Sequence, residues 1–268
     1  MGIYLWLWDE NYWAMRGPCS VGFHVPLWTE IDWFISILAW LSITTRDQAI
    51  TNLHLPPMGC RLSDNAAVDF RDRCYYWSAS PYGSSYPDST KIFVANSSWI
   101  HTNNINPRSR ALPVRWFKDV YATPTSSWTV VQWTLWGAWV FRNQTDWLIS
   151  ITDWTTGYTI QDKNLWATTV YNYWDTMTEA NMWKMYQWWN NYWFPSTWSI
   201  SSKSSTRVDA SSYWPNNYYS SSTFITTSDD NDDWSSVHND NLWWWVTWVT
   251  RFPLPVKHIY IGEDTANI

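Results

Sequence analysis

The scarcity of glycine, the residue that often forms tight turns, is the feature that most limits what this chain can fold into. The 268 residues include 8 glycines and 28 tryptophans, whereas glycine averages about 7% of residues in globular proteins. Several tryptophans stand where glycine is expected. Asp146-Trp147 and Asp153-Trp154 each separate two short strand-like runs, a position where Asp-Gly would form a type I′ hairpin turn.

These positions suggest that the chain was decoded with the wrong codon table. We hypothesise that the gene uses UGA for glycine and that UGA was read as tryptophan. The alternative is a genuinely tryptophan-rich surface, such as a platform on which carbohydrate rings stack. The hypothesis predicts that tryptophans at glycine positions have positive φ or are unusually exposed. The positions to which this prediction applies are Trp147, Trp154, Trp193, Trp214, Trp244 and Trp245.

Charge and hydropathy exclude two classes of partner. The formal net charge is -6 and only 15% of residues are charged, so the sequence predicts no binding to nucleic acid. The longest apolar run, Trp33 to Leu41, is far shorter than the roughly 20 residues of a membrane-spanning helix. The first residues also lack the basic start and apolar core of a signal peptide.

Periodicity predicts an α+β order, with helices first and antiparallel strands after them. A helix is predicted from Thr29, as its cap, to Leu41, and a second from Thr44 to His54, stopped by Pro56-Pro57. Strands are predicted at residues 74–80, 91–102 and 111–119. Residues 121–127 read as a Pro/Ser/Thr linker. Four short strands and a loop-heavy region are predicted beyond it.

Three ordered motifs in the first half resemble a known family. GPCSVGFHVPLWTEI begins at Gly17, CYYWSASP begins at Cys74 and LPVRWFKD begins at Leu112. They are similar to GPCPxGxHVPxxxEW, GYYWSSSP and GxVRCxKD of the FISUMP (Fib_succ_major) domain, found in bacterial surface proteins. The resemblance implies a C-type-lectin-like fold, related to formylglycine-generating enzymes. It assigns structural roles to His24, Pro26, Glu30, Tyr76, Trp77, Arg115 and Asp119.

The second half resembles the opening part of another copy of the same domain. Relatives typically carry glycine at the positions of Trp166, Trp189, Trp193, Trp244, Trp245 and Trp248, whereas Trp77, Trp188 and Trp243 match true tryptophans. The family pattern is lost after Thr250, which leads us to expect a truncation or frameshift there. The chain departs from the family at Ile31, Cys74 and Trp116. Because Trp116 replaces a cysteine, a disulfide that uses this position cannot form.

The resemblance also implies a domain organisation. Residues 1–120 are expected to be the C-terminal part of one FISUMP-like domain and residues 128–250 the N-terminal part of a second, β-rich and incomplete copy. Residues 121–127 link them, and residues 251–268 form an atypical tail. The implied function is a non-catalytic binding or structural module of a secreted or cell-surface protein. Its partner would be a surface protein or a glycan that the sequence does not identify.

Two other functions are compatible with parts of the sequence. Carbohydrate binding through exposed aromatic residues would require that the tryptophans are genuine. An enzyme related to the formylglycine-generating group would need a reactive cysteine pair near the end of the domain. In that region the chain has Trp116, and no cysteine follows Cys74. We therefore predict that the protein is not an enzyme.

The individual candidate residues are few. His24 is expected to be a hydrogen-bonded structural residue, because the histidines are dispersed and form no HxxxH or HExxH motif. Ser78 and Ser80 lack the GxSxG context of a nucleophile. Of the three cysteines at least one is unpaired, and a disulfide between Cys60 and Cys74 would close a short loop. Chance placement of the cysteines explains them equally well.

One acidic segment has the spacing of a calcium loop. Asp229, Asn231 and Asp233 occupy positions 1, 3 and 5, and Asp240 occupies position 12. The pattern would need glycine at Trp234, and this residue reads as a true tryptophan. A solvated acidic loop without a metal ion is the alternative, and no other cofactor is predicted.

Overall fold

The computed structural model describes residues 19, 23–64, 66–82, 86, 88–119, 125–133, 138–153, 157–165, 167–182, 184–188, 190, 192–195, 200–209, 220–227 and 233–236. The helices are α1 (Trp28–Trp40) and α2 (Arg46–Leu53). The strands up to the linker are β1 (Phe23–His24), β2 (Cys60–Arg61), β3 (Ala67–Val68), β4 (Cys74–Pro81), β5 (Ser89–Ala95), β6 (Ile100–Pro107), β7 (Ala111–Pro113) and β8 (Phe117–Lys118). Those after it are β9 (Thr129–Trp133), β10 (Trp139–Asn143), β11 (Leu148–Thr152), β12 (Gly157–Gln161), β13 (Lys184–Gln187), β14 (Phe194–Pro195), β15 (Lys203–Ser204) and β16 (Phe224–Ile225).

Both helices predicted from periodicity are present. Helix α1 buries Ile31, Phe34, Ile37 and Leu38 on one face, as their three- and four-residue spacing requires. The predicted cap at Thr29 is wrong, because the helix begins one residue earlier. The Glu30 carboxylate reaches back and accepts a hydrogen bond of 2.7 Å from the Leu27 amide.

Helix α2 follows its predicted limits closely. Its cap is Thr45, whose side chain accepts from the Gln48 amide, and it ends at His54 in the left-handed conformation, with φ of 52°.

The predicted strand at residues 91–102 is instead a hairpin of two strands, β5 and β6. A turn at residues 96–99 divides it, because the Asn96 side-chain oxygen accepts hydrogen bonds from the Ser98 and Trp99 amides, both 2.9 Å long. Strand β6 then continues to Pro107, beyond the predicted end at residue 102. The sequence did not predict this turn, because apolar residues alternate on both sides of it.

The turn that joins β10 to β11 also differs from its prediction. Asn143 pairs with Leu148, so the loop has four residues rather than the two of a type I′ turn. The Asn143 side-chain oxygen accepts from the amides of Thr145 and Asp146, which holds the loop as an Asx turn. Trp147, its last residue, has φ of 56°.

The sheets combine strands from both sides of the linker. We call residues 19–119 the first segment and residues 125–236 the second segment. A six-stranded sheet has the order β1-β8-β12-β11-β10-β9, and a five-stranded sheet has the order β14-β13-β7-β2-β3. A three-stranded sheet, β4-β5-β6, comes from the first segment, and the parallel pair β15-β16 comes from the second.

The hydrophobic cores are shared in the same way. One cluster packs α1 and α2 against β10, β11 and β12, the second surrounds Trp77 and Trp188, and the third joins Met58 and Ala111 to Met185 and Phe194. Each cluster contains residues of both segments. In the described part of the chain, the two segments therefore share sheets and cores, and the expected division into two incomplete FISUMP-like domains stays a prediction.

The described residues form a mixed structure of helices and antiparallel strands, which confirms the predicted α+β class. Neither helix in this part of the chain has the length and hydropathy that a membrane span requires.

Candidate functional site

His24 lies between two carboxylates. It is in β1 and pairs with Phe117 of β8, which places it beside Asp119, just after that strand. The His24 Nδ1 atom is 2.8 Å from Asp119 Oδ1, and its Nε2 atom is 3.0 Å from both oxygens of Glu30. All three side chains are largely buried. Residues from the first and last motifs of the FISUMP resemblance thus meet at one point.

This arrangement, which we call the His24 clamp, connects three elements. A neutral imidazole has one N–H group and donates to only one carboxylate, whereas an imidazolium donates to both. Since Glu30 also accepts from the Leu27 amide, the clamp joins the start of α1 to β1 and to the end of β8. Both ring nitrogens of His24 therefore have carboxylate partners within the protein, and its structural role stays a prediction.

Three other residues of the family motifs line a small internal cavity. Its volume is about 20 Å³, enough for one water molecule, and Pro26, Tyr76 and Arg115 line it together with apolar side chains.

The buried Arg115 guanidinium donates to the backbone oxygens of His54 (2.6 Å) and Gln161 (2.7 Å). Burial lowers the pKa of Arg115 and raises that of Tyr76. Arg115 therefore connects the end of α2 to the end of β12.

His54 should make stability depend on pH. It is 5% exposed, and burial, followed by the charges of Arg142 and Arg115, lowers its pKa from 6.5 to about 3. The unfolded chain therefore binds a proton below pH 6.5 that the folded chain does not bind until about pH 3. We expect His54 to contribute a loss of about 1.4 kcal/mol in unfolding free energy per pH unit between these limits. Urea denaturation at pH 7, 6, 5 and 4 measures it.

Two substitutions test whether His54 causes this dependence of the unfolding free energy on pH. Asparagine tolerates the left-handed conformation, so His54→Asn removes the titrating group while keeping the helix end, and its unfolding free energy should vary less with pH. His101→Asn makes the same histidine-to-asparagine change at an exposed position and is the matched control. Equal slopes for wild type and His54→Asn would contradict the assignment.

Three tryptophans form a buried chain across the molecule, which we call the tryptophan ladder. Trp77 Nε1 donates to the Tyr186 carbonyl (2.6 Å), Trp188 Nε1 donates to the Ser78 carbonyl (3.1 Å) and Trp234 Nε1 donates to the Trp188 carbonyl (2.8 Å). Each ring is at most 1% exposed. The sequence indicated all three as genuine tryptophans, but it did not predict that they meet.

The nucleophile candidates have structural roles. The Ser78 hydroxyl donates to the Lys91 carbonyl (2.7 Å), and the Ser80 hydroxyl accepts from the Trp28 amide (2.9 Å). Cys60 and Cys74 are both buried, and no disulfide joins them in the structure, so that alternative was wrong. The two lie in different core clusters. Burial raises the pKa of Cys74, whose thiol donates to the Leu55 carbonyl.

The acidic segment is described only in part. Asp233 is buried beside Arg108, with 3.4 Å between its Oδ2 atom and Arg108 Nη1, and its Oδ1 atom accepts from the Ser235 amide. Its carboxylate thus has partners within the protein. Asp229, Asn231 and Asp240, the other predicted calcium ligands, lie outside the described residues. Within the described residues, no group of three or more His, Cys, Asp or Glu side chains is arranged to hold a metal ion.

An exposed aromatic patch lies where α1 begins and β4 ends, and the sequence analysis missed it. Tyr82 and Tyr86 are 38% and 57% exposed, with ring centres 5.6 Å apart. The Lys91 ammonium lies 4.1 Å from the centre of the Trp28 ring and 5.9 Å from that of Tyr82. Burial lowers the pKa of Lys91. We call these four residues the Tyr82 patch. Two tyrosines within the loop after CYYWSASP were the available signal.

Two tryptophans at predicted glycine positions are described. Trp147 has φ of 56° and is 39% exposed, and Trp193 is 38% exposed. Both have the properties that the codon hypothesis requires, although the codon assignment stays a prediction. The others lie outside the described residues: Trp154, Trp166, Trp189, Trp214, Trp244, Trp245 and Trp248, together with Trp243 and the tail 251–268.

Comparison with known proteins adds no identification. No family model, no curated protein and no solved structure matches the chain.

Proposed function

We propose that the protein is a non-catalytic binding module of a secreted or cell-surface bacterial protein, with the C-type-lectin-like fold that the FISUMP resemblance implies. The observation that carries the proposal is the His24 clamp. The motif residues best suited to acid-base chemistry use their polar atoms to join β1, α1 and the end of β8. Ser78, Ser80 and Cys74 are likewise committed to backbone partners.

Chemical labelling of the folded protein tests the non-catalytic part of this proposal. A fluorophosphonate, which reacts with activated serines, and iodoacetamide, which alkylates thiolates, should leave Ser78, Ser80 and Cys74 unmodified at pH 7.5, since burial keeps the thiol protonated. After denaturation, iodoacetamide should modify Cys74, which serves as the internal control. Rapid modification of any of the three residues in the folded protein would argue for an active nucleophile.

A carbohydrate is the ligand that the Tyr82 patch favours. Exposed aromatic rings offer flat apolar faces on which the C–H groups of a sugar ring can pack, and a neighbouring ammonium can donate to sugar oxygens. Tyr82 and Tyr86 are tyrosines under either codon reading. In contrast, the stacked pair Tyr192 and Trp193 depends on Trp193 being genuine. The two tyrosines of the patch therefore do not depend on the codon reading.

A glycan array followed by calorimetry tests this second proposal. We expect Tyr82→Ala/Tyr86→Ala to reduce affinity for the bound glycan by at least 10-fold. Trp40→Ala, at an equally exposed residue about 18 Å along α1 from Trp28, should leave it unchanged. Trp147→Gly/Trp193→Gly should also bind as wild type does. Absence of glycan binding, or equal binding by the tyrosine variant, would exclude the patch as a carbohydrate site.

A further inference from the structure

We propose that the first and second segments are complementary half-domains, and that a second copy of the chain can supply either half. The partner is thus an identical chain, and the docking surface is the set of contacts between segments. The chain would assemble with itself by exchange of halves. This inference is independent of the ligand proposed above.

The backbone pairing shows how the halves join. Phe117 of β8 pairs with Ile160 of β12 in the larger sheet. In the five-stranded sheet, β7 and β13 pair through Met185 with Pro113, Tyr186 with Leu112 and Gln187 with Ala111. If the halves were apart, these strands would become open edges that can pair with another chain.

Buried polar contacts make the same junction specific. The Gln187 amide donates to the Ser109 carbonyl, and the Arg61 guanidinium donates to the Pro195 carbonyl. Arg108 faces Asp233, and the tryptophan ladder crosses between segments in both directions. Either segment alone would leave buried charges and N–H groups without these partners, which is costly. Each half is therefore the fitting surface for the other.

The described linker residues, 125–127, are exposed, and the distance that the linker must span can be estimated. Registers connect Phe117 to Ile160, Ile149, Arg142 and Thr129 in turn. Phe117 and Thr129 are thus at one level, four strand spacings or about 19 Å apart. Removal of residues 120–127 leaves four residue steps between them, which reach about 14 Å at most. In the shortened chain, the second segment therefore cannot pair with the first segment of the same molecule. Two shortened chains can still pair the first segment of one with the second segment of the other.

The decisive experiment compares the deletion of residues 120–127 with replacement of the same residues by eight Gly/Ser residues. Light scattering after size-exclusion chromatography gives the mass, and near-ultraviolet circular dichroism reports the buried tryptophans. We expect a monomer for the replacement, and a dimer or larger assembly with the same tryptophan spectrum for the deletion. A folded monomer of the deletion variant would overturn the proposal. An unfolded deletion variant beside a folded replacement would also overturn it, because exchange between chains would then fail.

A nicked chain supplies a second measurement that leaves all side chains in place. A protease site within residues 120–127 of the full chain is cut after folding. The two fragments should co-elute as a 1:1 complex. The ratio of folded to unfolded protein at 10 µM should fall roughly 100-fold on cutting, since a linker supplies an effective concentration near the millimolar range. Separation of folded fragments on cutting, or a stability that does not depend on protein concentration, would contradict complementarity.

Discussion

Glycine at Trp188 is expected to destabilise the protein strongly, whereas glycine at Trp147 is expected to stabilise it. Trp188 is 1% exposed, its ring packs 4.3 Å from the Arg108 guanidinium carbon, and it donates to the Ser78 carbonyl. Removal of this side chain leaves a large cavity and a buried carbonyl without its partner. We expect the unfolding free energy to fall by about 4 kcal/mol or more.

At Trp147, glycine is expected to raise the unfolding free energy, because the backbone strain that it removes exceeds the contact that it loses. A non-glycine residue at φ of 56° carries a backbone cost of about 1–2 kcal/mol, which glycine removes. The substitution also removes the contact of the indole with the Lys163 ammonium, 4.6 Å from the ring centre, a contact that contributes about 0.5–1 kcal/mol at an exposed site. The net expectation for Trp147→Gly is a gain of about 1 kcal/mol, or a melting temperature about 2–4 °C higher.

Urea denaturation of both variants measures these effects, and Trp147→Ala is the matched control. Alanine removes the same indole but keeps the Cβ atom that opposes positive φ, so this variant should not be stabilised. If Trp147→Gly and Trp147→Ala have the same stability, backbone strain at this position is not the cause. The gene sequence gives an independent test of the codon hypothesis: UGG codons at Trp147 and Trp193 would reject it.

Loss of one member of the Arg108–Asp233 pair should have the second large effect. Both side chains are almost fully buried, so Asp233→Ala leaves a guanidinium without its counter-charge inside the protein. We expect a loss of about 3–5 kcal/mol in unfolding free energy. Because the residues belong to different segments, the same substitution should also weaken the association of the nicked chain.

A double substitution separates the cost of an unpaired charge from the cost of lost volume. Arg108→Met/Asp233→Leu removes both charges and should be less destabilised than Asp233→Ala. Asp72→Ala is the surface control, since Asp72 is 60% exposed beside Arg73, and it should cost less than about 1 kcal/mol. If the surface and buried substitutions had equal effects, the pair would not be a stabilising contact between the segments.

Local patterns predicted much of the secondary structure. The spacing of Ile31, Phe34 and Leu38 predicted α1, and the capping residues Thr45 and Gln48 support the predicted α2. The four short strands predicted after the linker are β9 to β12. The strand and turn predictions were wrong where a side chain sets a turn by accepting hydrogen bonds from the backbone. Asn96 divides β5 from β6, and Asn143 makes a four-residue loop in place of a type I′ turn.

The sequence indicated candidate residues but not the partners of their side chains. The sequence indicated His24, Glu30 and Asp119 by resemblance, but nothing in it indicated that the two carboxylates hold opposite sides of one imidazole ring. The Tyr82 patch was missed because Trp28 and Lys91 are distant in sequence from the two tyrosines, and only the packing of α1 beside β4 brings them together.

The sequence by itself determined the α+β class and the approximate positions of both helices and of strands β4, β5 and β9 to β12. These properties follow from neighbours in the chain, because helical and strand periodicities repeat over a few residues. The tertiary structure decided that β8 pairs with β12 and β7 with β13, so that one fold is made of two segments. Strand partners are selected by burial and hydrogen bonding between distant residues, and the pattern within one short stretch of sequence does not identify the partner strand.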